Sequence, residues 1–494
     1  MNILLVNSPS KPEEVQAGEN NMYPLSLLFL SSFLCKNGYR AKILDLSTSM
    51  EPRVEFSRYL RAKGADIIGF TATTENRFLV LDLITDSKKV LTKAKIVVGG
   101  NHFTYTAQQA LEVIPEIDVV VRGEGEITFL ELVKAYEGKE DITNILGISY
   151  RENNKIIHNL DRPFEKDIDK FVIQEEVFED AILPYGNYSP FMRMRNYYWK
   201  DVKTLSIHAG RGCPGKCVYC LYNKKQYRTR SVDSVIREIK IKREKYRCSA
   251  FHLQDPHLLK RQEFVQDFCG RLLKEDIKIE WYAETRADID IGVLDIMKES
   301  GCISLDFGLE SASEKVLKSI KKGIRLEQAE KLIKRCAKLG IRIKVFTMIS
   351  HPDEKEEDAL KTLRFLNAFR RNITSYSGAV TRIYPGSELE AMAKKRGIIS
   401  ENFQWYDRNY QNGMQDLVQG CVPVWIEYLS PNFIRFCKKE IDRISLLGKP
   451  ILKSILERLK PFVFKWSVED IKMKWRLIRR LFKALYYRIV YKFR

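Results

Sequence analysis

Two runs of alternation decide what this chain can fold into: short, branched apolar segments recur at strand length, and stretches of helix length separate them. In the first run these segments are Asn2-Ile-Leu-Leu-Val6, Ala41-Lys-Ile-Leu-Asp45, Asp66-Ile-Ile-Gly-Phe70, Lys95-Ile-Val-Val98 and Asp118-Val-Val-Val121. Helical stretches such as Pro24 to Lys36 and Phe78 to Leu91 lie between them. Short, continuously apolar strands bounded by Gly, Pro or Asn are those of a sheet buried on both faces, so an α/β, doubly wound, Rossmann-like domain is expected over residues 1–150. The second run, within 200–390, comprises Thr204 to His208, Ala250 to Leu253, Ile279 to Glu284, Ser304 to Gly308, Ile341 to Phe346 and Ser377 to Tyr384. Helices are expected between them at Ser231 to Lys245, Val293 to Ser300, Leu326 to Leu339 and Glu356 to Ala368. Six strand–helix units predict a partial (β/α)6 barrel of the TIM type. Residues 151–199 read as a linker and 391–494 as a helical region with a basic amphipathic tail. Several domains are also what 494 residues require, because a single core does not grow to that size.

Ligands of a doubly wound sheet bind at the carboxyl ends of its strands. Those ends carry Asn7-Ser-Pro9, Thr71-Ala-Thr-Thr74, Gly99-Gly-Asn-His102 and Arg122-Gly-Glu-Gly-Glu126. No G-x-G-x-x-G follows the first strand, which speaks against a dinucleotide. Hydrophobic residues at 45% and charged residues at 30% describe a globular chain. No run of about eighteen apolar residues occurs, and the amino terminus lacks the pattern of a signal peptide, so a cytoplasmic location is expected. Lys and Arg exceed Asp and Glu by 83 to 64, for a formal charge of +19. The excess is concentrated at one end, since the residues from Ile471 onward hold nine basic side chains and no acidic one. There Ile471, Trp475, Ile478, Phe482, Leu485 and Ile489 share a helical face, and Lys472, Arg476, Arg479 and Lys483 share another. Such a helix suits peripheral contact with an anionic membrane at its inner face, and equally a helix packed on the barrel with its basic side in water.

The chemistry is concentrated in one loop. Cys213-Pro-Gly-Lys-Cys217-Val-Tyr-Cys220 follows directly on the first strand of the second run. Three cysteines at C-x3-C-x2-C can ligate three irons of a [4Fe-4S] cluster and leave the fourth iron open to a chelating small molecule. A disulfide with one thiol left over, or a three-Cys zinc site completed by a distant His, is compatible with the same spacing. The other seven cysteines, Cys35, Cys248, Cys269, Cys302, Cys336, Cys421 and Cys437, are scattered and suggest no second cluster.

With these strings in hand the chain resembles the cobalamin (B12)-binding group of the radical S-adenosylmethionine (SAM) enzymes, the class B methyltransferases among them. In the first segment the resemblance is carried by Tyr23-Pro-Leu-Ser-Leu27, Gly69-Phe-Thr71, Gly99-Gly-Asn-His102 and Arg122-Gly-Glu-Gly-Glu126-Ile-Thr-Phe129. In the second it is carried by the cysteine loop, Thr285-Arg286-Ala-Asp288, Gly308-Leu-Glu310-Ser311 and Tyr384-Pro-Gly386-Ser. The chain departs from the group in two strings, Gln254-Asp255 and Ser350-His-Pro-Asp-Glu354, and it lacks a D-x-H-x-x-G signature. The nearest string to that signature, Asp255-Pro-His257, lies in the other domain. The resemblance implies Cys213, Cys217 and Cys220 as cluster ligands. It implies Tyr219, Glu284, Arg286, Glu310 and Ser311 as candidates for the SAM pocket. Asn7, Ser8, Thr71, Thr73, Gly99, Gly100, Asn101, His102, Gly123 and Glu124 are the candidates for cobalamin. No general base is identifiable.

What the resemblance implies for activity is reductive cleavage of SAM at the cluster and transfer of a methyl group from methylcobalamin to an unactivated carbon, or to phosphorus, of a small-molecule or lipid substrate. An electron donor such as flavodoxin or ferredoxin is the implied protein partner. Similar domain pairs perform cyclisation, ring rearrangement and carbon–carbon coupling without methyl transfer, and a non-catalytic cobalamin sensor would use the first domain alone. Nucleic acid is not an expected partner: the chain has no separate RNA-binding module, and its first segment lacks the additional cysteines of the methylthiolating enzymes.

Overall fold

The computed structural model describes residues 1–9, 23–47, 49–138, 141–182, 204–418 and 420–448. The basic tail 471–494, and with it the expected amphipathic helix, lies outside the described residues. The chain divides into two compact units. Among the described residues, the first comprises those up to 182 together with 219–231 and 382–424, and the second comprises 204–218, 232–381 and 425–448.

The first unit is built on a seven-stranded sheet. Its strands are β1 (Ile3–Asn7), β2 (Ala41–Asp45), β3 (Ile67–Thr71), β4 (Lys95–Gly99), β5 (Val119–Val121), β6 (Ile148–Glu152) and β7 (Lys155–His158), in the order β2-β1-β3-β4-β5-β6-β7. The first five are parallel, and β6 and β7 continue the sheet antiparallel at one edge. Helices Leu25–Lys36, Pro52–Lys63, Arg77–Val90, Gly100–Val113 and Glu126–Tyr136 supply the crossovers. The strand interiors, for example Leu4, Leu5, Ile68 and Val98, are almost wholly buried, as a sheet covered on both faces requires. The order reverses between β1 and β3, and such a reversal leaves a crevice at the carboxyl ends of the strands on either side of it.

Two boundaries differ from expectation. The sheet does not stop at residue 150: the segment read as a linker begins within β6 and contributes β7 and the helix Glu175–Ile182. Residues 382–424 belong to the first unit, and Arg77 shows why. Its guanidinium is 1% exposed and donates to the carbonyls of Thr74, Trp405, Gly420 and Cys421, at 2.5 to 3.2 Å. A buried cation is tolerable only when its donors are satisfied, so these carbonyls and Arg77 require one another.

The second unit is a six-stranded, all-parallel sheet in chain order. Its strands are β8 (Thr204–Ile207), β9 (Ala250–Leu253), β10 (Glu280–Thr285), β11 (Cys302–Glu310), β12 (Arg342–Ile349) and β13 (Ser375–Val380). Helices Val232–Tyr246, Gln262–Lys274, Leu294–Glu299, Leu326–Leu339 and Glu356–Ala368 alternate with them, which is the arrangement of a partial (β/α)6 barrel. Its helix-facing core includes Phe251, Phe268, Trp281 and Phe307; Phe268 meets Trp281 edge to face at 5.6 Å. After the barrel the described chain holds the helices Glu388–Lys395 and Pro431–Gly448 with irregular backbone between them, and no described helix is long and apolar enough to cross a membrane.

Candidate functional site

The cysteine loop leaves β8 after Ile207. All ten cysteines are free thiols; Cys217 is buried, and Cys213 and Cys220 are partly exposed. Two N–H groups point at the loop's sulfurs. The backbone N–H of Gly215 donates to Cys213 Sγ at 3.4 Å, and Arg286 Nη1 donates to Cys217 Sγ at 3.4 Å. Gly215 leaves room for this approach: a Cβ there would stand 2.9 Å from Arg286 Nη1 and press the guanidinium aside. Burial raises the Cys213 thiol, while the Gly215 N–H and the Arg286 charge pull it down. Sulfurs provided with N–H and cationic donors are suited to carrying thiolate charge. Three thiols are the donor chemistry an iron–sulfur cluster takes, although the described residues contain no group of three side chains already gathered at metal-binding distance.

Arg286 lies just beyond the carboxyl end of β10 and is fixed at two further points. Its Nε donates to Asp288 Oδ1 at 2.8 Å, Nη2 donates to the Lys322 carbonyl, and the side chain is 9% exposed. Glu310 ends β11 with φ of +64°, a conformation rare outside glycine, and its Oε1 receives Lys322 Nζ at 2.8 Å. Ser311 is fully buried; its hydroxyl contacts Thr362 Oγ1 at 3.2 Å and accepts from the Ser313 N–H. Tyr219 is partly exposed between buried Val218 and Cys220.

On the strand face turned away from the helices stand several polar residues, His252, Tyr282, Glu284, Asp306 and Lys344, beside the apolar Phe346 and Met348. His252 stacks flat on Tyr282, with ring centroids 4.2 Å apart, and Lys344 Nζ lies 3.4 Å from Asp306 Oδ2. Burial pushes the His252 imidazole down to about 3, so it is neutral. Burial, then Asp306, push the Glu284 carboxyl up to about 7, against the opposing pull of Lys344. Burial, aided by Glu284, likewise raises Asp255 to about 7, although the His257 N–H bonded to its Oδ1 at 2.8 Å works the other way. Buried carboxyls raised in this way favour a cationic neighbour.

In the first unit, Asn76 ties together the two loops that flank the strand-order reversal. Its Nδ2 donates to Ser8 Oγ at 2.9 Å and its Oδ1 accepts from the Thr73 N–H at 2.9 Å. Asn7 is held by Asp45 Oδ1 at 2.8 Å. Gly100 has φ of +90°, and a Cβ there would come within 2.6 Å of Thr71 Oγ1, so this position is one that only glycine fits. Thr73, Asn101 and Gly123 are exposed at the ends of β3, β4 and β5, with open space where a Gly123 side chain would stand. A polar rim backed by a tight glycine turn fits a bulky ligand laid across the strand ends, as cobalamin would be.

Two cobalamin candidates are used differently. Glu124 is in a bidentate ion pair with Arg228, at 2.5 and 3.0 Å. His102 is 1% exposed, bonds Thr74 Oγ1 through Nδ1 at 3.2 Å, and is enclosed by Phe103, Trp405 and Tyr406. Burial, then the Arg77 charge, hold it well below the usual histidine range, so it is a neutral interior residue and not one on the exposed rim. The sequence reading missed Lys322, Asn76, Arg228 and Arg77. Lys322 sits in a Lys-Lys-Gly string that reads as a solvated turn, and the partners of Arg228 and Arg77 lie up to several hundred residues away, so no local pattern marks them. Asp288, by contrast, stands within the Thr285-Arg286-Ala-Asp288 string.

Comparison with known proteins agrees with this division. Residues 207–366 match the family described as the radical SAM superfamily, and residues 15–133 match the B12 binding domain. An uncharacterized methyltransferase of Pyrococcus horikoshii is 30% identical over 393 residues, covering 79% of this chain and 82% of that protein. The anaerobic magnesium-protoporphyrin IX monomethyl ester cyclase of a Synechocystis species is 25% identical, over 74% of this chain and 72% of the cyclase. Among solved structures, the cobalamin-dependent SAM radical enzyme OxsB with aqua-cobalamin and SAM bound superposes with a TM-score of 0.70 at 17% identity, over 98% of this chain and 72% of that one.

Proposed function

The chain belongs to the radical SAM superfamily, in the group that also carries a B12-binding domain, and from that membership we propose that it is a cobalamin-dependent methyltransferase acting on an unactivated carbon. Its cofactors are those of its two domains: SAM with a [4Fe-4S] cluster, and cobalamin. When bound, they supply an organic radical and a methyl carrier, chemistry that no side chain provides. The observation that carries the reading is the loop of three free cysteines with N–H donors on two of its sulfurs.

Within this reading Cys213, Cys217 and Cys220 hold the cluster, and Gly215 and Arg286 orient two of the sulfurs. Asp255 and Glu284 offer buried carboxyls to a cationic group, for which the SAM ammonium is the nearest match in chemistry. The apolar helix-facing layer behind them, Phe251, Leu253, Ala283 and Leu305 among it, excludes water from that side of the sheet. In the first unit Asn76, Ser8 and Thr73 fix the loops on which cobalamin would rest.

A lipid or isoprenoid-type acceptor is favoured by the basic tail from Ile471, whose composition suits an anionic surface. The second reading, ring formation without methyl transfer, is favoured by similarity to the cyclase. One experiment separates these. The anaerobically reconstituted enzyme is given methyl-labelled SAM, a low-potential reductant and a cell extract. The proposal expects 5'-deoxyadenosine and S-adenosylhomocysteine together, with label passing into the organic-soluble fraction. Label in the aqueous fraction would remove the lipid acceptor, and 5'-deoxyadenosine with no S-adenosylhomocysteine would favour the cyclase-like reaction.

A further inference from the structure

Arg286 was expected at the SAM pocket, but its surroundings give it another task. Its guanidinium is committed at three atoms: Nη1 to Cys217 Sγ at 3.4 Å, Nε to Asp288 Oδ1 at 2.8 Å, and Nη2 to the Lys322 carbonyl. The loop is shaped to admit it, since Gly215 is the position at which any Cβ would press on Nη1. Three of its five N–H groups are thus spent on protein partners where the side chain is 9% exposed, so the fork's orientation is set by the chain itself.

We infer that Arg286 is a positioning residue of the cluster, setting its reduction potential through a charge-assisted N–H···S bond to Cys217, and is not a SAM contact. Guanidinium is cationic at every working pH, so the bond is permanent. One-electron reduction adds a negative charge that spreads onto the thiolate sulfurs. A fixed cation beside Cys217 stabilises the reduced form more than the oxidised one and so raises the potential, as hydrogen bonds to cluster sulfurs do generally. Asp288 holds the fork in the orientation that presents Nη1 to sulfur, the role that outer-shell partners play at metal sites. The inference rests on the assignment of Cys217 as a cluster ligand.

The test is a potentiometric titration of the reconstituted cluster, read by electron paramagnetic resonance with Ti(III) citrate as reductant. It is run on the wild-type chain and on the Arg286→Met and Arg286→Lys variants, with SAM affinity measured separately by equilibrium binding. Arg286→Met is expected to lower the midpoint by about 59 mV or more, a tenfold fall in the one-electron equilibrium, with SAM affinity changing less than about twofold. Arg286→Lys, which keeps the charge but not the fork, is expected to fall between the two. Unchanged midpoints with SAM affinity weakened tenfold would overturn the inference and return Arg286 to the SAM pocket. If Arg286→Met does not retain iron, Arg286→Lys and Gly215→Ala, which crowds Nη1 away from the loop, carry the same comparison, and unshifted midpoints in both would overturn it. Iron content of the wild-type chain keeps the two questions apart: wild-type protein without iron defeats the cluster assignment, whereas an iron-loaded wild type with an unshifted Arg286 variant defeats this inference alone.

Discussion

Cys217→Ala is expected to lose the cluster and, with it, SAM cleavage. Cys217 is buried at 6% exposure, receives the Arg286 Nη1 donor, and lies on the loop with Cys213 and Cys220. A cluster held by three thiolates has no spare ligand on the protein side, so removing one leaves two irons unbound by the chain instead of one. Loss of an outer-shell partner alone typically costs 10–100-fold at a metal site, so loss of a ligand is expected to cost on the order of 10²-fold or more in 5'-deoxyadenosine formation. The fold itself is not at stake. Alanine deletes a single buried atom, and the metal-free variant is expected to unfold within about 1 kcal/mol of the metal-free wild type. Cleavage that persists in Cys217→Ala would remove the cysteine loop from the mechanism.

The largest expected effect on stability comes from Lys322→Met. Lys322 and Glu310 pair at 2.8 Å with side chains only 6% and 9% exposed, and Glu310 is held at φ of +64°. Removing one partner of a buried pair strands the other charge, a change that costs about 3–5 kcal/mol. The second unit's thermal transition is expected to fall by roughly 10 °C, at about 2–4 °C per kcal/mol for a domain of this size. Adding Glu310→Gln to Lys322→Met is expected to recover part of the loss, because the stranded carboxylate is then gone. An additive double variant, or a Lys322→Met transition within about 1 kcal/mol of wild type, would show that the pair is not coupled.

Much of this architecture is visible in the sequence because strands buried on both faces and helices with one apolar side write their periods directly into it. Ala41–Asp45, Ala250–Leu253, Leu326–Leu339 and Glu356–Ala368 form where the pattern places them. The cysteine loop stands out in the sequence for a different reason, since its three cysteines are close together in the chain. What was not legible is long-range. Ser311 resembles a pocket residue as a string, yet Thr362, 51 positions away, takes its hydroxyl. His102 follows a glycine turn that suggests exposure, but Trp405 and Tyr406 enclose it. Glu124 is the acid of a glycine-rich turn, and Arg228 claims it from 104 residues away. In each case a side chain's role is set by a partner that no local window contains.

The account is tested most directly by counting metals. The chain, with residues 471–494 included, is purified without oxygen from cells supplied with iron and cobalamin, and iron and cobalt are measured per chain alongside the absorption spectrum. About four irons and one cobalt are predicted, from one three-cysteine cluster and one cobalamin. Iron without cobalt would contradict the reading of the first unit, and a chain that holds zinc or no metal at all would contradict the central claim.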